Sequence, residues 1–227
     1  MDTKVDFLKR KIEEMEKQVV FDKNTTVGEI ARNSFQENWA SNHVEAIINT
    51  VLAMRQKWEE TGEPRFEEYQ RRFKDIDTLY KLDHLIKDKS EADFCKDVFG
   101  LNITKGNYWR YNMLCDMVNA FIEYQSKKEL SSDKDAMMDW ARNCNLSKLE
   151  NDPIGRLNNV GIATVQNLRI CLGIDTVKPD VHIISALKEI GLGNEVEICE
   201  LISELTGHKC IELDQIFWNW GINSKKN

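Results

Sequence analysis

One aspartate in this chain has the surroundings of a reactive carboxylate. Asp180 stands in the segment Lys178-Pro179-Asp180-Val181-His182, directly ahead of an apolar pattern with helical spacing. An aspartate at that position caps the helix with one carboxylate oxygen and can present the other to a ligand. Such a carboxylate can stabilise a developing cation, or it can orient and deprotonate a water molecule. The pattern predicts an N-cap and is compatible with a catalytic role.

A second feature, residues 157 to 164, predicts a tight hairpin between two helices. The sequence there is Leu-Asn-Asn-Val-Gly-Ile-Ala-Thr, and Asn and Gly accept left-handed backbone angles most readily. Before the hairpin, Asp152 suits an N-cap and Pro153 suits a first helical turn. After it, apolar helical spacing resumes from residue 165 to 172, and Gly173 can end that helix. The sequence therefore predicts helix, hairpin, helix.

The predicted hairpin could bind an anion. It would leave the backbone N–H groups of Gly161 to Thr164 unpaired at a helix N-terminus, where the helix dipole favours negative charge. Phosphate is the natural anion for such a site. The alternative is an ordinary turn between two helices that binds nothing.

The two features together give the chain a family resemblance. This stretch resembles the helix-hairpin-helix DNA glycosylase superfamily, whose pattern is a Leu-Pro-Gly-Val-Gly-like hairpin, a helix, and an aspartate shortly downstream. Leu157, Val160, Gly161 and Thr164 match the hairpin, and Asp180 matches the aspartate.

The resemblance covers part of the chain. It extends over about residues 153 to 190, and residues 98 to 124 look like the helix that precedes the hairpin in that family. The segment from Leu213 to Gly221 is compatible with the closing helix of such a fold. The first hundred residues show no match.

The resemblance implies an all-α helical bundle that binds double-stranded DNA through the hairpin. A base would be flipped into a pocket, and Asp180 would stabilise the sugar cation and guide the attacking water. The residues implied in DNA binding are Leu157, Asn158, Asn159, Val160, Gly161, Ile162, Ala163, Thr164 and Lys178. Aromatic candidates for the pocket wall are Tyr108, Trp109, Trp140, Trp218 and Trp220, for which core packing is an alternative.

Departures from the family pattern narrow the expected chemistry. Asn158 and Asn159 replace the proline and the first glycine of the family hairpin. Ala163 stands where bifunctional members have lysine, so no Schiff base and no lyase activity are expected. The interval from Ala163 to Asp180 is about one residue shorter than the family pattern, which affects the placement of the carboxylate.

Comparison with the family pattern also determines which cofactors are expected. Cys199 and Cys210 stand alone after the aspartate, so we predict no iron–sulfur cluster, and the histidine spacing predicts no metal site. Similar hairpins hold a monovalent cation on their carbonyls, and the sequence leaves that open here.

Three functions are compatible with these observations. The first is a monofunctional DNA N-glycosylase that releases a damaged or modified base, as in base-excision repair. The second is a helix-hairpin-helix protein that binds DNA but has a decayed catalytic site, which Ala163 and the altered hairpin favour. The third is an acidic helical protein that binds another protein, which accounts for the net charge but gives the hairpin no role.

Charge limits the DNA-binding hypothesis without excluding it. The 227 residues carry a net charge of −7, which argues against indiscriminate nucleic-acid binding. The acidic excess lies outside residues 101 to 190, where 11 basic residues balance 11 acidic ones. Candidate phosphate contacts there are Lys105, Arg110, Arg142, Lys148, Arg156, Arg169 and Lys178.

The elements that must position these residues are helices, because apolar periodicity is helical nearly everywhere and no segment predicts a strand. Predicted apolar stripes run from Val5 to Val19, from Val44 to Trp58, from Leu79 to Ile86 and from Trp109 to Ile122, and a further helix is capped at Ser131-Ser132-Asp133. We predict an N-terminal helical extension at 1–35 and a helical domain at 36–227.

The six cysteines indicate a compartment. They are scattered within apolar helical patterns without a paired motif, as expected for reduced thiols in an intracellular protein of the cytoplasm or nucleus. The N-terminus has no apolar signal region, and no apolar run approaches the length of a membrane span.

Overall fold

The computed structural model describes residues 2–20, 24–34, 42–102, 108–189, 191–193 and 195–223. Most of these residues are helical, which confirms the predicted all-α class. In chain order the α-helices are α1 (Asp2–Glu16), α2 (Val27–Ser34), α3 (His43–Ala53), α4 (Glu63–Arg72), α5 (Leu79–Lys87), α6 (Glu91–Asp97), α7 (Trp109–Lys128), α8 (Asp133–Asn143), α9 (Ile162–Cys171), α10 (Val181–Glu189), α11 (Glu195–Thr206) and α12 (Cys210–Asn223).

Three shorter elements complete the described structure. A π-helix spans Trp58–Gly62, and a 3₁₀ helix spans Leu146–Asn151. Strands β1 (Val19–Val20) and β2 (Thr25–Thr26) pair in antiparallel register, Val19 opposite Thr26 and Val20 opposite Thr25. The expectation of no strand was therefore wrong for these four residues. Two residues per strand are too few to show the alternation by which a strand is recognised in sequence.

The chain forms two compact units. Unit 1 consists of Met1–Asn38 and Asp175–Asn227, and unit 2 consists of Trp39–Ile174. The sequence analysis placed a boundary after residue 35 and none near residue 174, where no run of Pro, Gly or Ser marks a linker.

The core of unit 2 is organised around α3. Asn42 caps this helix by accepting hydrogen bonds from the backbone N–H groups of Val44 and Glu45, each at 2.9 Å. Every residue from 44 to 52 is buried, and α3 packs against α4, α7 and α9. On α8, the fully buried Trp140 packs edge-on against Phe121 of α7, with ring centroids 5.2 Å apart. These contacts fix α9, whose N-terminus carries the hairpin.

The helix predicted from Val44 through Trp58 ends earlier than expected. α3 stops at Ala53, Met54 is extended, and Arg55 adopts a left-handed backbone with φ of 52°. The sequence gave no sign of this break, because neither glycine nor proline stands between Leu52 and Trp58. The break turns Arg55 out of the helical stripe.

The core of unit 1 is built from both ends of the chain. α12 packs against α1, α2, α10 and α11. Buried apolar residues from each of these helices meet in one cluster, which includes Ile12, Val27, Ile183, Ile202 and Phe217. This packing holds the segment that carries Asp180.

Candidate functional site

The segment before the hairpin differs from the prediction. Asp152 caps a helical turn as expected, because its Oδ1 accepts hydrogen bonds from the N–H groups of Ile154 (2.9 Å) and Gly155 (2.7 Å). Residues 153 to 159, however, form successive turns and bends, so the predicted first helix of the pair is absent as a regular helix. Asn158 and Asn159 follow the cap too closely for a second helical turn to propagate.

The backbone of residues 157 to 164 agrees with the prediction at Asn159 only. Asn159 is left-handed, with φ of 66°, and Gly161 is the extended N-cap residue of α9. The N–H of Thr164 donates to the carbonyl of Gly161 at 3.0 Å, so the expectation that Thr164 is unpaired was wrong. Among the described residues, the N–H groups of Gly161, Ile162 and Ala163 have no hydrogen-bond acceptor. Three successive donors therefore remain at the N-terminus of α9.

The surface at Gly161 is open. A Cβ built on Gly161 would have no heavy atom within 4 Å, and Ile162 is 44% exposed. The space next to the Cα of Gly161, at the N-terminus of α9, is therefore open. The helix dipole adds a favourable interaction with negative charge at this end.

The eight predicted hairpin residues divide by exposure. Asn158, Asn159, Gly161 and Ile162 are exposed, whereas Ala163 and Thr164 are half-buried. Leu157 and Val160 pack against the core of unit 2. These two side chains therefore anchor the hairpin. Asn158, Asn159, Gly161 and Ile162 form its exposed face.

Two arginines lie beside the hairpin. Arg55 donates from Nη2 to Oδ1 of Asn159 at 3.1 Å, and its guanidinium lies 5.1 Å from the centre of the Trp109 ring. The guanidinium of Arg110 lies 4.3 Å from the same ring, and its Nη2 donates to the carbonyl of Met54 at 2.5 Å. We call Arg55, Arg65, Arg110 and Trp109 the arginine cluster.

Sequence analysis identified Arg110 as a phosphate candidate but missed Arg55 and Arg65. Arg65 joins the cluster electrostatically, since burial first and then the charges of Arg65 and Arg55 lower the pKa of Arg110. The only sequence signal for Arg55 is the polar run Arg55-Gln56-Lys57 inside an apolar stripe. That signal does not show which helices the run will face.

The other basic candidates have different surroundings. Arg142, Lys148 and Arg156 are exposed. Arg169 donates to the carbonyl of Ala141 (2.8 Å) and to Oε1 of Gln166 (2.6 Å), so it serves the core of unit 2. Lys105 lies outside the described residues.

Asp180 belongs to unit 1 and caps α10, as predicted. Its Oδ1 accepts hydrogen bonds from the N–H groups of His182 (2.9 Å) and Ile183 (3.2 Å). Its Oδ2 accepts none from the described residues, and the side chain is half-buried. One carboxylate oxygen is therefore fixed by the helix, and the other is available. The hairpin lies in unit 2, whereas Lys178 and Asp180 lie in unit 1.

A second aspartate, Asp214, holds this segment. Sequence analysis did not single it out as a functional group. Oδ1 of Asp214, on α12, accepts the N–H of Lys178 at 2.6 Å, and the carbonyl of Lys178 accepts the N–H of Asp180 at 2.7 Å. A second hydrogen bond joins the same segment to α12, because Oδ1 of Asp175 accepts the N–H of Ile211 at 3.0 Å. Burial raises the pKa of Asp214 to about 7, and the charge of Asp180 contributes to that rise.

The aromatic candidates for the pocket wall have different surroundings in the structure. Trp140 is 1% exposed, and its indole N–H donates to both carboxylate oxygens of Asp152, so it is a core residue and not a pocket wall. Tyr108 and Trp109 are half-buried in unit 2. In unit 1, Trp218 packs edge-on against His182 with centroids 6.1 Å apart, and Trp220 donates to Glu189 at 2.6 Å.

The described residues contain neither a candidate metal site nor a membrane-spanning helix. No group of three or more His, Cys, Asp and Glu side chains there could hold a metal ion. The helices within those residues are too short or too polar to cross a bilayer. All six cysteines are free thiols.

Comparisons of the chain with protein-family models, with curated proteins and with solved structures found no match.

Proposed function

We propose that this protein binds double-stranded DNA through the hairpin at residues 157 to 164. The observation that carries the proposal is the row of three unpaired N–H groups, Gly161 to Ala163, at the open N-terminus of α9. Backbone donors at a helix N-terminus bind a phosphate oxygen without reading the base sequence. The resemblance to helix-hairpin-helix DNA glycosylases gives the same residues the same role.

The proposed chemistry is removal of a damaged or modified base by hydrolysis of its N-glycosidic bond. Departure of the base leaves a cationic sugar, which the free oxygen of Asp180 would stabilise while it orients the attacking water. The cap on α10 fixes the other oxygen and so limits the motion of the carboxylate. This chemistry uses a carboxylate and water and needs no cofactor. Ala163 cannot supply an amine, so no lyase step is included.

A second candidate is a DNA-binding protein without catalytic activity. The observation in its favour is the altered hairpin, with turns in place of the first helix and with Asn158 and Asn159 in place of proline and glycine. Both candidates share the phosphate site, and they differ only in what Asp180 does.

A binding assay tests the shared part. Affinity is measured for a duplex with a neutral abasic-sugar analogue and for the same duplex undamaged, each at two salt concentrations. A preference for the analogue is expected if a lesion site is formed, and equal binding favours the candidate without chemistry. Absence of binding at both salt concentrations would refute the proposal.

Replacing Asp180 tests the chemistry. Because Asn keeps the oxygen that caps α10, Asp180→Asn should leave DNA binding within about twofold and reduce base release by at least about 100-fold. Release is measured as abasic sites formed in a duplex on which the wild type is active. Asp175→Asn removes the same charge from the same segment and should retain activity. Unchanged turnover in Asp180→Asn would exclude the catalytic role.

A further inference from the structure

The arginine cluster has an unusual charge balance for a protein with a net charge of −7. Among the described residues, no carboxylate oxygen lies within 4.0 Å of a guanidinium nitrogen of Arg55, Arg65 or Arg110. By contrast, Arg71 on α4 forms a two-nitrogen contact with Glu68, at 2.7 and 2.9 Å. Among the described residues, these three arginines therefore form no close ion pair with a carboxylate.

The guanidinium groups also have unused hydrogen-bonding capacity. Nε of Arg110 is buried and has no acceptor among the described residues. Arg55 is exposed and donates only from Nη2, to Asn159. A guanidinium over an aromatic ring keeps N–H donors that can bind a phosphate oxygen.

The backbone of Arg55 is itself a specific feature. A left-handed residue with a Cβ is disfavoured by about 1–2 kcal/mol, so this conformation persists only because its surroundings hold it. The contacts that hold it are the hydrogen bond to Asn159 and the position of the guanidinium over the Trp109 ring. Arg55 is thereby joined directly to the hairpin.

We propose that Arg55 and Arg110, whose guanidinium groups both lie over the Trp109 ring, form a second phosphate-binding site beside the hairpin, so that this surface of unit 2 holds two phosphates of one nucleic-acid strand. The hydrogen bond from Arg55 to Asn159 sets the two sites next to each other. This inference rests on the proposed function, because the first phosphate is the one bound at the N-terminus of α9. It adds a second contact point: the strand would pass both the hairpin and Trp109.

Arg55→Gln tests the second site, because Arg55 is exposed and the substitution removes its guanidinium together with the contacts to Asn159 and Trp109. Dissociation constants are measured for an undamaged duplex between about 50 and 200 mM salt. Losing one phosphate contact should reduce the slope of log affinity against log salt by about 0.9, which changes the affinity ratio across that range by about 3.5-fold. Arg71→Gln makes the same charge change at an arginine already paired with Glu68, and it should keep the wild-type slope.

Gly161→Val separates this inference from the proposed function. Each variant is first checked for an unchanged circular dichroism spectrum and unfolding midpoint. If Gly161→Val loses binding while Arg55→Gln keeps the wild-type slope, the second site is refuted and the hairpin site stands. If only Arg55→Gln weakens binding, the second site stands and the hairpin proposal fails. If the wild type binds no duplex but binds an acidic peptide at Arg55, both proposals are overturned.

Discussion

Replacing Asp214 by Asn should make the protein more stable at neutral pH. Asp214 is only 4% exposed, and burial raises its pKa from the usual value near 3.8 to about 7. In the unfolded chain the carboxyl loses its proton near 3.8, whereas in the folded chain it keeps that proton up to about 7. Between these values the unfolded state binds fewer protons, so wild-type stability falls as pH rises.

The magnitude follows from the shift. A difference of about 3 pKa units at about 1.4 kcal/mol each amounts to about 4 kcal/mol of unfolding free energy lost between acid and neutral pH. Asn cannot ionise, so its variant lacks this loss. From pH 5 to pH 8 the stability of Asp214→Asn relative to wild type should therefore increase by about 3 kcal/mol. Any misfit of the amide beside Lys178 changes the unfolding free energy by the same amount at pH 5 and at pH 8. It therefore cancels from this comparison.

Urea denaturation of both proteins at several pH values measures the difference. Amide hydrogen exchange in α12 reports on unit 1 by itself, which matters because the chain has two units. All other titrating groups are shared, so subtracting the two curves isolates Asp214. Parallel curves from pH 5 to pH 8 would show that Asp214 is already ionised at pH 5, and the argument from burial would be wrong.

Two further predictions concern the structure around the hairpin. Trp140→Phe should lower the unfolding free energy by about 2 kcal/mol, because the buried carboxylate of Asp152 loses its indole donor; a urea midpoint like that of the wild type would contradict this. At the left-handed Asn159, Asn159→Val should be less stable than Asn159→Gly by about 1–2 kcal/mol, since both lose the bond to Arg55 and only valine strains the backbone; equal thermal unfolding of the pair would refute it.

Local signals in the sequence predicted several of the helices and three of their caps. Asp152 and Asp180 were predicted as N-caps, and each accepts two backbone N–H groups. The stripe from Trp109 to Ile122 lies within α7, and the left-handed turn falls at Asn159. Capping and turn formation depend on neighbours a few residues away, so composition and spacing were enough for them.

What sequence could not predict depends on contacts between distant segments. The end of α3 at Ala53 has no local breaker, and it is associated with Arg110 binding the carbonyl of Met54 from 56 residues away. Asp214 became a residue of interest only through its hydrogen bond to Lys178, which lies in the segment before α10. The likeness to DNA glycosylases and the roles of the hairpin and Asp180 stay predictions, which the experiments above address.

Unit 1 consists of two segments that lie on either side of unit 2 in the sequence, so its helices are synthesised at different times. α1 and α2 are synthesised before unit 2, but α12, against which both pack, is made only after all of unit 2. Until then the apolar faces that include Ile12, Met15 and Val27 have no α12 to cover them. Nascent chains of this protein should therefore engage chaperones that bind apolar segments, and a chain that ends before α12 should be removed by proteolysis even though it contains all of unit 2.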